Sequence, residues 1–296
     1  GRVMGAEGLN RTYATMVTQE RYLPMAMVLA ESLRAVGSGY GLLVMVDDTV
    51  TVTAREALEN AGCAVRVVRD VVVPRTARPS NLRWVGAFSK LNLWRLKEYE
   101  KVVWLDADTM VTRSLDFLFD LHDTGPVGAR NIHSCHVNPD RFCSMLLVAR
   151  PAMRDYLGLT ELLRSGESFP EGDQALIEQH FGRRLHLLNE TVAGFVYHCM
   201  CDPDGAAAAS NYLIHFTGHF SPPTAHSSLA PKAQHCALPH YRLWLTLHRR
   251  VCDQLPVRNR LTACASSRDL QESIGALFPS LSQAHREALL NPSLPA

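Results

Sequence analysis

Val102-Val103-Trp104-Leu105-Asp106-Ala107-Asp108 is an apolar run that ends abruptly in two carboxylates separated by one small residue. Four consecutive apolar residues with β-branched and aromatic members predict a buried strand. Successive side chains of an extended strand point to opposite faces, so Asp106 and Asp108 are expected on one side, with Ala107 leaving room beside them. Two clustered acids repel one another, and that invites a cation. Carboxylate oxygens suit Mg²⁺ or Mn²⁺, ions that fill their shells with water and the oxygens of a bound phosphate. The ligand implied by the pair is therefore a metal diphosphate. Acids also gather at strand ends as solvated turn residues capping a following helix. Position favours the metal, because in open α/β sheets ligands bind outside the carboxyl ends of the strands.

On either side of this run, strands alternate with helices. Residues 13–17 (Tyr-Ala-Thr-Met-Val) read as a first buried strand, and a helix follows from near Leu23 with Pro24 in its first turn. Met25, Val28, Leu29, Ser32 and Leu33 recur at helical spacing up to the turn Gly37-Ser38-Gly39. Residues 42–46 predict a second strand, 53–61 a helix closed by Gly62, and 64–68 a third strand. Such alternation predicts a parallel sheet. Residues 71–81 read as a surface loop, and helical spacing resumes at Phe88, Leu91, Trp94 and Leu96. Between Asp123 and Arg141 the pattern breaks into a loop over or beside the site, and 142–148 is strand-like again. Residues 175–181 predict a short helix with Asp173 near its start, and 213–216 is one more apolar run. After Pro222-Pro223 come three helical stretches, 241–251, 267–277 and 282–290, which form a candidate C-terminal appendage. Ser280 and Gln283 resemble a capping box, and Leu270, Ile274 and Leu277 form an apolar stripe expected to pack in a core.

The 47% hydrophobic and 20% charged content is enough for a large core in one elaborated domain or a domain plus appendage. A formal net charge of +1 and the lack of any basic block give no electrostatic reason to expect nucleic acid or an anionic membrane as partner. Apolar runs such as 42–46 are far too short to span a bilayer. The chain begins with Gly1, which leaves room for an initiator, signal peptide or membrane stem outside it. Eight cysteines tolerate disulfides in a lumen or free thiols in cytosol. The sequons at Asn10 and Asn189 fit a secretory route but also arise by chance, so a Golgi lumen and the cytoplasm both stay open. The glycines at 37, 39 and 41 precede a strand, and neither a dinucleotide fingerprint nor a phosphate-binding glycine loop is present. Phosphate must be held by metal and side chains.

Five segments, in order, resemble the family 8 glycosyltransferases, the group of glycogenin and galactinol synthase. They are Tyr13-Ala14-Thr15-Met16-Val17-Thr18, Phe88-Ser89-Lys90-Leu91-Asn92-Leu93-Trp94, Val103 to Thr109, Glu171-Gly172-Asp173-Gln174 and His215-Phe216-Thr217-Gly218. The resemblance implies a GT-A fold over residues 13–225, a Rossmann-like α/β domain, with an N-terminal tail at 1–12 and a helical extension at 226–296. It further implies a retaining transfer from a UDP-sugar donor with Mn²⁺, or Mg²⁺ in its place. Carried over residue by residue, Asp106, Asp108 and His215 ligate the metal. Met16, Thr18 and Tyr22 line the nucleoside pocket, joined at the donor by Ala107 and Gly218. Lys90 reaches the donor sugar or diphosphate, and Asp173 and Gln174 stand by the donor sugar and its anomeric carbon. The acceptor stays open among glycan, polyol, lipid and protein, and a homodimer is compatible with the family.

The departures from the family pattern fall at Phe142-Cys143-Ser144-Met145, where relatives have Phe-Asn-Ser-Gly, and at Ser221, where relatives have a lysine. They motivate an alternative, a GT-A binding or scaffolding protein without turnover. A second alternative is a zinc module of Cys199, Cys201, His215 and His219, whose C-x-C spacing is tighter than that of common zinc sites.

Overall fold

The computed structural model describes residues 10–122, 125–130, 141–196, 211–216, 231–264, 266–279 and 281–290. The first half is built on β1 (Arg11–Val17), α1 (Leu23–Ala35), β2 (Leu42–Val46), α2 (Val52–Asn60), β3 (Ala64–Val67) and β4 (Lys101–Leu105). The strands β3, β2, β1 and β4 lie side by side and all run parallel. Side-chain alternation then decides which residues meet. Tyr13, Val17, Val44, Val46, Val103 and Leu105 face the layer that contains α1 and α2. Ala14, Leu43, Met45, Val102 and Trp104 face the other layer.

Beyond β4 the sheet departs from the all-parallel expectation. After β5 (Thr109–Val111), the strands β6 (Val127–Arg130) and β7 (Phe142–Ala149) continue it, with β7 antiparallel to both β4 and β6. A parallel neighbour needs a long crossover, usually a helix. Here β6 runs in the same direction as β4 one place further out, and the chain returns between them through β7, antiparallel to both. The segment 123–141, expected as loop, contains β6, and its residues 123–124 and 131–140 lie outside the described part. The helix α3 (Met153–Arg164), the helix α4 (Asp173–Phe181) and the strand β8 (His186–Leu187), which pairs with β6, complete this layer.

The expected helix around Phe88 is a 3-10 helix over Leu82–Arg95. Phe88, Leu91 and Trp94 are three apart, a spacing that three residues per turn stacks along one edge, and all three are buried. A second, small sheet has the order β5, β10 (Leu213–His215), β9 (Ala193–Phe195).

The C-terminal helices are α5 (Pro231–Gln254), α6 (Val257–Ala263), α7 (Ser267–Leu277) and α8 (Gln283–Leu290). The first starts ten residues before the expected boundary and runs through Pro239, and α6 was not anticipated. Tyr241, Trp244 and Leu247 of α5 share one apolar cluster with Val28 of α1, Met110 of β5 and Ile214 of β10. Ile274 and Leu277 are fully buried there, with Leu270 packed against them, so the stripe is core. Asn259 of α6 donates to the Thr53 carbonyl at 3.3 Å, tying α6 to α2. A Cys252–Cys264 disulfide closes the α5–α6 corner. Ser280 of the expected capping box lies outside the described residues; a capping box is present instead at Ser266 and Asp269, ahead of α7. No helix among the described residues is long and apolar enough to cross a membrane.

Candidate active site

The strand β4 ends at Leu105, one residue before the first acid. Asp106 and Asp108 therefore sit in a turn between β4 and β5 rather than on one strand face. The Thr109 amide and hydroxyl both donate to the Asp106 carbonyl, at 3.1 and 2.7 Å, and close that turn. The Asp106 amide still donates to Met145 of β7 at 2.9 Å, which anchors the turn to the large sheet. Past the turn the chain enters the small sheet, where Thr109 lies opposite His215 of β10. The Phe216 amide donates to the Asp108 carbonyl at 2.9 Å. A change of sheet thus carries His215, more than a hundred residues away, to the acidic pair.

The side chains converge accordingly. His215 Nε2 lies 3.0 Å from Asp108 Oδ1, and the ligand atoms of Asp106, Asp108 and His215 all fall within 4.8 Å of one another. Burial pushes the His215 pKa down, but the Asp108 and Asp106 carboxylates outweigh it, and the net shift is upward. The donor set fits a divalent metal: two hard carboxylates and an imidazole suit Mn²⁺ better than Ca²⁺. Trp104 Nε1 donates to Asp106 Oδ1 at 2.8 Å, and Lys90 Nζ reaches the same oxygen at 3.0 Å. Both contacts use Oδ1 and fix the carboxylate in place. A second close group, His248, Cys252 and Cys264, has its two sulfurs joined in the disulfide.

Lys90 is buried, not a solvated lysine of the 3-10 helix surface. Its ammonium bridges Asp106 and Asp173 Oδ2, the latter at 2.8 Å, and donates to the Ser144 carbonyl and hydroxyl at 3.0 and 2.9 Å. Four acceptors for three N–H bonds means shared hydrogen bonds around a fixed charge. Burial alone would depress this amine; the two carboxylates reverse that and raise it above the ordinary lysine value. Asp173 is the first residue of α4, as expected from sequence. It is presented by Gly172, whose φ of 71° lies in the region that glycine tolerates and other residues resist.

These groups line one open cleft of about 540 Å³, within the range of small-molecule sites. Met16, Thr18, Tyr22, Lys90, Ala107, Asp173 and Gln174 all border it, together with the three metal candidates. The Arg21 guanidinium lies 5.1 Å from the Tyr22 ring centre, and Tyr22 packs against the core while still bordering the cleft. Gly218 lies outside the described residues, as do Ser221 and Cys199, Cys201 and His219 of the alternative zinc module. Trp84, Trp104, Arg141, Ser144 and Glu171 also line the cleft and were not singled out from sequence. Glu171 was legible as part of Glu171-Gly172-Asp173-Gln174, Trp104 within Val103 to Thr109 and Ser144 within Phe142-Cys143-Ser144-Met145; Trp84 and Arg141 carry no local signal. At the departure from the family pattern, Cys143 faces the cleft, and burial pushes its thiol up to about 12, so it is not a thiolate nucleophile. Met145 is buried in the core and also borders the floor of the cleft.

A mixed seven-stranded sheet with a carboxylate–imidazole cluster at the end of its central strand is the architecture of a GT-A glycosyltransferase domain. The chain belongs to glycosyl transferase family 8, whose sequence model matches residues 14–147. It is 31% identical over 222 residues to a glycogenin of Neurospora crassa, covering 71% of this chain and 31% of that protein. To UDP-glucuronate:xylan alpha-glucuronosyltransferase 1 of Arabidopsis thaliana it is 30% identical over 170 residues, 57% of this chain and 24% of the relative. The chain thus spans a quarter to a third of the length of these two relatives. Among solved structures, the galactosyltransferase LgtC with donor and acceptor sugar analogues superposes with a TM-score of 0.59 at 15% identity, covering 85% of this chain and 100% of that one.

Proposed function

We propose that this chain is a retaining glycosyltransferase domain that moves a hexosyl or related group from a UDP-sugar to an acceptor with the help of Mn²⁺. The observation that carries the reading is the continuous polar chain from His215 and Asp108 through Asp106 and Lys90 to Asp173 along one cleft. Asp106, Asp108 and His215 are the residues to hold Mn²⁺ or Mg²⁺; when bound, such an ion offsets the charge that develops on a departing diphosphate. Met16, Thr18 and Tyr22, which border the cleft, suit a nucleoside base, and Ala107 leaves room for the phosphates.

Lys90 holds Asp106 and Asp173 at a fixed separation, so the donor's diphosphate and sugar ends are positioned by one buried cation. Asp173 is already engaged by that ammonium, which weakens it as a nucleophile. This supports a front-face route through an oxocarbenium-like state, with Gln174 beside the anomeric carbon. Positioning and fixed charge do most of the work on this reading. The relatives' names include a glucuronate donor with xylan and a glycogenin, and the acceptor here is a glycan, polyol, lipid or protein.

Release of UDP from a panel of UDP-sugars, with Mn²⁺ and with chelator, tests the proposal. One donor should be turned over, and both chelation and Asp108→Asn should abolish its turnover. The second reading, a GT-A binding protein without turnover, draws on Cys143 standing where the family pattern has an asparagine. It predicts UDP binding with no release from any donor. No UDP binding at all would overturn both.

A further inference from the structure

Of the four tryptophans, Trp94, Trp104 and Trp244 are 1–2% exposed, whereas Trp84 is 46% exposed and lines the cleft. An indole left half in water on a cleft wall is an unfilled apolar platform. Its place is fixed by the Asp173 loop: a Cβ built on Gly172 would lie 3.6 Å from Trp84 Cβ. Trp84 therefore stands next to the Glu171-Gly172-Asp173 corner, while the metal cluster lies at the other end of the Asp106–Lys90–Asp173 chain.

The same corner carries a matched polar pair. Arg141 and Glu171 form an ion pair, Glu178 lies 3.9 Å from the same guanidinium, and Gln174 Nε2 donates to Glu171 Oε2 at 3.4 Å. Arg141, Glu171 and Gln174 all border the cleft. With its charge matched by two glutamates, Arg141 is poorly placed to recruit an anionic headgroup. What the pair offers is a fixed planar donor edge and a fixed planar acceptor edge, a pattern that suits neighbouring hydroxyls. A flat apolar ring face beside paired hydroxyl partners is the chemistry that holds a pyranose: C–H bonds on the indole, hydroxyls on the charged edges.

We infer that Trp84, with Arg141 and Glu171, forms the acceptor subsite and that the acceptor is a neutral pyranose sugar. The inference rests on the donor reading of Asp173 above. The ring stacks on the indole and presents a hydroxyl towards the donor sugar at Asp173 and Gln174.

Saturation-transfer NMR on the full chain with Mn²⁺ and UDP tests it, using methyl glucoside, methyl xyloside, lactose and maltose as probes, alongside a calorimetric titration of UDP. At least one sugar should receive saturation mainly on the protons of one ring face. Trp84→Ala should weaken its binding about five- to tenfold, the scale of one lost aromatic contact, and Trp84→Phe should restore most of it. UDP affinity should be the same in all three proteins. Unchanged sugar binding in Trp84→Ala overturns the inference, and so does transfer to a tyrosyl peptide but to none of the sugars. If UDP itself fails to bind, it is the donor reading that has failed, and the titration shows this separately.

Discussion

Replacing Lys90 with methionine removes one charge and keeps nearly the same volume, so it isolates what the buried ammonium does. Lys90 is 3% exposed, and its neighbours are Asp106 Oδ1 at 3.0 Å, Asp173 Oδ2 at 2.8 Å and two acceptors of Ser144. Without the cation, the two carboxylates are left unpaired beside one another, Asp173 nearly buried and Asp106 a quarter exposed at the cleft. Breaking a buried ion pair by removing one partner costs about 3 to 5 kcal/mol, because the remaining charge is left uncompensated. We expect Lys90→Met to lose stability in this range in urea titrations at pH 7 with chelator present. The charge deficit should also make the protein lean on metal, so Mn²⁺ should stabilise the variant more than it stabilises the native chain. A double-mutant cycle with Asp173→Asn should show coupling of about 1 to 3 kcal/mol, since the second change removes one of the two stranded acids. A loss below about 1 kcal/mol, the scale of an exposed salt bridge, would refute the reasoning. Additive single and double variants would refute it too.

Gly172→Ala places a side chain at φ 71° and ψ −142° immediately before Asp173. About 1 to 3 kcal/mol of backbone strain follows, and the start of α4 should relax at the expense of the Lys90–Asp173 contact. A variant that melts like the native chain and binds UDP equally would contradict this. His248 is buried on α5 against Trp244, and burial, with a smaller contribution from Arg249, lowers its pKa to about 4. As pH falls from about 6.5 to 4 the unfolded chain takes up this proton before the folded one, so stability drops over that window, by on the order of 3 kcal/mol in full. His248→Phe keeps the ring stack and should flatten the urea-midpoint profile between those pH values; identical profiles would rule the assignment out.

The sequence by itself determined the elements and the acidic pair. Tyr13-Ala14-Thr15-Met16-Val17 and Leu42-Leu43-Val44-Met45-Val46 read as central strands because both faces of a parallel strand are covered, and the burial bears this out at every position but Met16. Asp173 was legible at a helix start because a Gly-Asp pair opens α4. The 3-10 helix was legible as apolar spacing but not as to type, because residues three apart satisfy both periods. β7 was legible as a strand at 142–148, but its antiparallel direction was not, nor were the short β5 and β6, since strand direction and pairing depend on partners far along the chain.

At the site the division is the same. Asp106 and Asp108 announce themselves by spacing, yet they meet His215 only because a turn moves the chain from the large sheet to the small one, where Thr109 pairs with His215. Lys90 looks like any surface lysine in sequence, and only packing buries it between two acids that lie 16 and 83 residues further on. Trp84 gives no sign in its neighbours that it stays in water. Local pattern records how each segment buries its own apolar face, whereas charge pairing, ligand convergence and an exposed ring are decided by which segments the folded sheet brings together.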